Sequence, residues 1–200
     1  AYDTRYMITG LDAFHYGVEA EVFHRLTDWL KFTAFASVGS WKWQNDVRAI
    51  IYDDYTRQEI GSMNVYCGGL PVGDAPQTQL GATMTIELGA GFRINADWQF
   101  NDRMYADFDP STRTDESDRS PSYRIPSYHL LGAMISWSRQ NTQGDGGKNK
   151  TGMTVFASAS NLLDTMFIER GKDGASHDID TFRGFWGFGR TFSFGIRLSF

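Results

Sequence analysis

The chain has 200 residues with 19 Lys and Arg against 24 Asp and Glu, and its formal net charge of −5 removes any electrostatic reason to expect nucleic acid as a partner. Mean hydropathy is −0.40 and no run approaches the ~20 apolar residues of a membrane helix, yet a membrane β-barrel is not excluded, because its two faces alternate along each strand and cancel in any average. Aromatics at 15%, 21 Gly and only 5 Pro suit a strand-rich protein, and the lone Cys67 rules out an internal disulfide framework and reads as a free thiol in a loop. The opening "AYDTRYMITG" is neither basic nor followed by an apolar stretch, so it reads as the middle of a domain.

Alternation then runs along the chain strand by strand. In "YGVEAEVFHRL", Tyr16, Val18, Ala20 and Val22 oppose Gly17, Glu19, Glu21 and Arg25. "TDW" turns the chain into "LKFTAFASV", where Leu30, Phe32, Ala34, Ala36 and Val38 oppose Lys31, Thr33, Phe35, Ser37 and Gly39. "LGATMTIEL" and "FRINADWQFN" form a second hairpin about a glycine-containing turn at 89–91. Its apolar parity is Ala82, Met84, Ile86, Leu88, Phe92, Ile94, Ala96, Trp98 and Phe100; the other carries Glu87, Arg93 and Asp97. "SYHLLGAMISW" has apolar residues on both faces, Leu131, Ala133, Ile135 and Trp137 making the better stripe, and "GMTVFASAS" gathers Met153, Val155, Ala157 and Ala159. The chain closes on "TFSFGIRLSF", where Phe192, Phe194, Ile196, Leu198 and Phe200 form one unbroken apolar stripe.

The connections alternate in length. Residues 26–29 and 89–91 are tight turns and 139–150 is a modest polar loop, whereas 44–78, 107–124 and 161–186 are long. Short turns at one end and long loops at the other are the layout of outer-membrane barrels, and a soluble sandwich has no reason to segregate loop length in this way. Residues 91–106 are expected to run as one strand of about 15 residues, more than the ~9 to 11 that cross a bilayer at a tilt. About seven strands emerge, an odd number. Either the 44–78 loop hides one or two more, around "RAIIYD" and "MNVYC", or the chain is a piece of a larger barrel, which is the preferred reading.

The segment "FASASNLLDTMF", a long loop containing Gly and Asp, and "GFGRTFSFGIRLSF" resemble the C-terminus of TonB-dependent outer-membrane receptors. The family's elements fall on Asn161, Leu162, Leu163, Asp164 and Phe167, then on Arg190, Phe192 and Phe200, with Leu163 standing where Phe is commoner. "GLDAFHYGVEAEVFHRLTDWLKFTAFAS" and "GLPVGDAPQTQLGATMTIEL" are similar to earlier strands of the same family. The likeness covers nearly the whole chain and is most specific over 155–200. It implies an all-β fold: the last third of an antiparallel transmembrane β-barrel of about 22 strands with a plugged lumen, long extracellular loops and short periplasmic turns. The plug domain and the N-terminal barrel strands would lie outside this chain, residues 1–200 being the C-terminal barrel segment.

The resemblance further implies uptake of a large nutrient, of siderophore, cobalamin or glycan class, across the outer membrane of a Gram-negative bacterium, with no catalysis and no cofactor. Expected partners are membrane lipid, the plug and N-terminal strands, TonB through the missing N-terminal part, the barrel-assembly machinery and, in one branch of the family, a surface lipoprotein. The terminal stripe Phe192 to Phe200 would face lipid and serve as the assembly signal. Glu19, Glu21, Arg25, Lys31, Glu87, Arg93 and Asp97 would face the lumen and bond to a plug, or else form a solvated inner wall. Trp41, Trp43, Tyr52, Tyr55 and Tyr66 lie toward the long-loop end, where aromatics stack on ligands, form a belt or pack a loop. His15, His24, His129 and His177 have no metal-ligand spacing and read as interfacial or loop residues, and the acidic run Asp107, Asp109, Asp115, Glu116 and Asp118 lacks the EF-hand pattern and reads as a solvated loop. An alternative from another class is a complete small outer-membrane barrel acting as an enzyme or adhesin. A soluble β-sandwich is the third.

Overall fold

The computed structural model describes residues 3–142 and 150–200. Among these the chain is all-β. Its strands are β1 (Thr4–Ile8), β2 (Ala13–Arg25), β3 (Leu30–Trp43), β4 (Val47–Asp53), β5 (Glu59–Val65), β6 (Thr78–Gly89), β7 (Phe92–Asp102), β8 (Met104–Tyr105), β9 (Arg124–Ile125), β10 (Tyr128–Thr142), β11 (Lys150–Ser160), β12 (Ile168–Lys172), β13 (Arg183–Trp186) and β14 (Thr191–Ser199).

Seven of them form one antiparallel meander in the order β2-β3-β6-β7-β10-β11-β14. Sequence neighbours pair because each short hairpin closes its own register. Between β2 and β3, Thr27 and Leu30 exchange backbone hydrogen bonds at 3.2 and 3.4 Å. Between β6 and β7, Gly89, Ala90 and Gly91 all have positive φ, of 79°, 50° and 86°. Gly supplies that left-handed backbone without strain, and its use twice in three residues explains the tight reversal. The 143–149 stretch of the third hairpin lies outside the described residues.

Because direct cross-strand partners share a face, the registers sort the whole sheet at once. One face carries the row Leu30, Ile86, Ile94, Ile135, Ala157, Phe194 and, beside it, Phe32, Met84, Ala96, Ala133, Ala159, Phe192. Along β10 this face runs from His129 to Trp137 and along β7 from Phe100 to Phe92 with no Asp, Glu, Lys or Arg, a band of about nine residues per strand. Charges return at its margins, at Lys42, Asp102 and Arg139. The opposite face carries Glu19, Glu21, Arg25, Lys31, Thr83, Glu87, Arg93, Asn95, Asp97, Gln79, Gln99 and Asn101.

Nothing among the described residues packs on the apolar face: Phe194 is 81% exposed, Ile196 70% and Val22 60%. The two edge strands, β2 and β14, each have a single partner and do not pair with each other, so the sheet is open. The buried apolar side chains lie elsewhere. Ala49, Val65, Cys67, Leu70, Met104, Ala106, Phe108 and Ile125 all belong to the long connections between sheet strands.

One expectation needs correction. The strand from 91 to 106 is not continuous: β7 ends at Asp102, Arg103 takes φ of 52°, and Met104–Tyr105 turns away to pair with β9. Arg103 holds the break by donating to the carbonyls of Gly39 and Gln77 at 2.7 and 2.9 Å. The remaining 11 residues still suffice for a tilted crossing. The strands hidden in 44–78 do exist, as β4 and β5, but they join β1 in a separate three-stranded sheet and leave the main strand count at seven.

Candidate ligand-binding cap

In a meander the three short hairpins leave one end of the sheet, and the three long connections, 44–77, 103–127 and 161–190, leave the other. There they build one cap. Its apolar centre is Ala49, Val65, Cys67, Leu70 and Phe108, with Ile8, Leu11, Val47 and Met63 against it. Trp43, on the last residue of β3, meets Phe108 edge-on at 6.1 Å and so anchors the cap to the sheet. Burial pushes the Cys67 thiol up to about 11, with the Asp46 charge adding to it, and makes it a packing residue instead of a nucleophile.

Polar locks join the three connections. Arg113 is fully buried and donates to Asp173 at 2.7 Å, to the Ser120 carbonyl at 2.8 Å and to Ser122 at 3.3 Å. His177 stands between two carboxylates, with Nδ1 2.6 Å from Asp173 and Nε2 2.7 Å from Asp118. Asp173 also accepts from the Tyr123 backbone N–H at 2.9 Å, while the buried Arg113 Nε has no acceptor among the described residues. The His177 hydrogen bond holds the Asp118 carboxyl down at about 2. A second lock joins 44–77 to 103–127: Arg119 grips Asp46 through two bonds of 2.7 and 2.9 Å and lies over the Tyr66 ring, and the Tyr66 N–H donates to the Arg113 carbonyl.

Two hollows open in this cap and meet at Lys172. The larger, about 1060 Å³, lies between residues 109–112 and the β12–β13 ribbon; the smaller, about 500 Å³, is lined by Tyr6, Trp43, Phe108, Asp107 and Lys172 among others. Burial raises the Asp107 carboxyl, helped by the neighbouring Asp74 charge. A shallower groove of about 380 Å³ between Trp137, Phe194 and Ile196 is a gap between side chains of the apolar face.

The candidate aromatics do not form one platform. Trp43 lines the smaller hollow, Trp41 stacks on His15 at 5.4 Å, Tyr66 underlies Arg119, Tyr52 pairs with Arg5 in the small sheet, and Tyr55 projects from a turn, 96% exposed. The seven charged residues assigned to the inner wall do share one face of the sheet. Arg93 pairs with Glu87 at 2.8 Å, Arg25 with Asp28 at 2.8 Å, and Glu19 accepts from Ser37; Glu21, Lys31 and Asp97 make no ion pair within 4.0 Å among the described residues. The stripe Phe192 to Leu198 lies on the apolar face of the edge strand β14, and Phe200 follows the strand.

The residues that sequence reading missed are Arg113, Asp173 and His177 in their shared role. His177 lies in a loop, as expected, but its side chain is only 8% accessible, and Asp118 is part of its lock instead of a solvated acid. Separations of 59 and 60 residues leave no spacing signal from which these pairs could be read. No group of three or more His, Cys, Asp or Glu side chains among the described residues is arranged to hold a metal ion. The chain matches no protein-family model and no curated protein.

Proposed function

We propose that this chain is the C-terminal run of strands of a TonB-dependent outer-membrane receptor, whose long-loop cap contributes to binding a large nutrient at the cell surface. One observation carries the reading: seven antiparallel strands in a meander present an apolar face that is free of Asp, Glu, Lys and Arg between its margins and has no packing partner among the described residues, opposite a face rich in Glu, Asp, Lys and Arg. That is the arrangement a barrel wall requires, since a basic residue at the bilayer midplane costs about 2–4 kcal/mol. The segregated connections and the Asn161-to-Asp164 and Arg190-to-Phe200 elements support the same reading.

On this reading the edges β2 and β14 pair with further strands that close the barrel. The inner-wall residues left without ion pairs among the described residues, Glu19, Glu21, Lys31 and Asp97, face the plug. A complete small barrel would join β2 to β14, and these are separate edges here. The test is fractionation of the cells that make the protein, followed by heat-modifiable electrophoresis. Expected is an outer-membrane protein that migrates faster unheated than boiled and that co-purifies with, or is continuous with, the remaining strands. Recovery in the soluble fraction would contradict the reading.

A further inference from the structure

The β12–β13 ribbon has an arrangement that stability alone does not explain. Lys172 lies directly across from Arg183, and Arg170 lies across from Phe185 two pairs further along, beyond Gly171 and Gly184, so three cations and an aromatic share one face of a two-stranded ribbon. Like charges directly opposite repel. Among the described residues none of the three makes a salt bridge within 4.0 Å or donates a side-chain hydrogen bond; Arg170 only stacks over Phe185 at 5.5 Å. All three line the hollow of about 1060 Å³, together with the hydroxyl-bearing Ser111, Thr112 and Thr181.

Four acids share that lining, and three of them accept hydrogen bonds. Asp74 accepts from the Gly171 N–H, Asp109 from the Ser111 N–H and hydroxyl, and Asp173 from Arg113. Asp180 alone accepts no hydrogen bond among the described residues and makes no ion pair. The three cations therefore lie together and accessible, with no ion pair within 4.0 Å among the described residues, at the wall of a concavity large enough for a solute.

We propose that this hollow binds a compact multivalent oxyanion, a polycarboxylate or phosphorylated solute, through Arg170, Lys172 and Arg183. Arg supplies planar, two-pronged recognition of carboxylate or phosphate and Lys a point charge. Calling that anion the transported cargo rests on the receptor reading above; the binding itself does not, since the hollow is built within the cap.

The test uses the intact purified protein, in detergent if it is membrane-bound, and calorimetric titration with citrate and with tripolyphosphate. Expected is saturable binding that weakens with added salt, falls about tenfold or more in each of R170Q, K172Q and R183Q, and tightens in Asp180→Asn. These are exposed side chains, so unchanged melting of the variants separates loss of binding from loss of fold. Absence of binding by both probes, or equal binding by the wild type and the triple variant, overturns the proposal. So does binding confined to vesicles of anionic lipid, which would make the patch a headgroup contact. Soluble fractionation combined with anion binding would overturn the receptor reading and leave the site standing.

Discussion

At the scale of single residues, the cap depends on charges that are paired where water cannot reach them. Removing Arg113 leaves Asp173, which is wholly inaccessible, without its partner, and breaking such a pair costs about 3–5 kcal/mol. Arg113→Ala is therefore expected to loosen the 103–127 and 161–190 connections, seen as protease cleavage within them under conditions where the wild type is resistant; unaltered resistance would contradict the lock. The pH dependence has a definite sign. Asp118 has its folded value lowered from 3.8 to about 2 by the His177 hydrogen bond, and Asp46 is likewise lowered to about 2, chiefly by the Arg119 hydrogen bond. Both contributions are present above the ordinary carboxylate value and are lost as the pH falls toward 2, so amide exchange in the cap should accelerate over that interval. Both acids are partly exposed and salt-screened, so the change is gradual. Cys67, with its thiol pushed up to about 11 by burial, should resist iodoacetamide at pH 8 until the protein is denatured.

At the scale of elements, alternation made the sheet legible and could not reach the cap. The parity of apolar residues in 16–26, 30–38, 81–101 and 191–200 places every strand face as found, because a period of two is a local property of the chain. Two aromatics depart from the parity of their strands, and the structure supplies the reason. Phe35 and Phe156 sit on the polar face because each lies over a glycine of the neighbouring strand, Gly81 and Gly195, whose missing side chain makes room for a ring. A Gly81→Val change would force the Phe35 ring aside, an overpacking cost of about 1–3 kcal/mol, and is expected to lower the unfolding midpoint while Thr83→Val does not. The cap was not readable: β7 is cut at Arg103 by bonds to Gly39 and Gln77, 64 and 26 residues away, and the Arg113 cluster joins side chains as distant. Such contacts have no period and no motif.

At the scale of the whole molecule, the distribution of burial is inverted relative to a soluble sandwich. The large buried apolar side chains lie in the connections, and the strands of the main sheet leave theirs exposed. Water is an unfavourable environment for that face, and lipid a favourable one; on the proposed barrel-wall reading, Ile135→Arg is expected to cost about 2–4 kcal/mol, against little for Asn95→Arg on the opposite face. The most direct measurement is a nitroxide scan along β10, residues 130 to 137, in the intact protein reconstituted in lipid, reading accessibility to oxygen and to a water-soluble nickel chelate. Expected is an alternation of period two, with Leu131, Ala133, Ile135 and Trp137 open to oxygen and closed to nickel, and Leu130, Gly132, Met134 and Ser136 showing no such preference for oxygen. Labels at 131 to 137 that are all open to nickel, or show no alternation, would contradict a lipid-facing barrel wall.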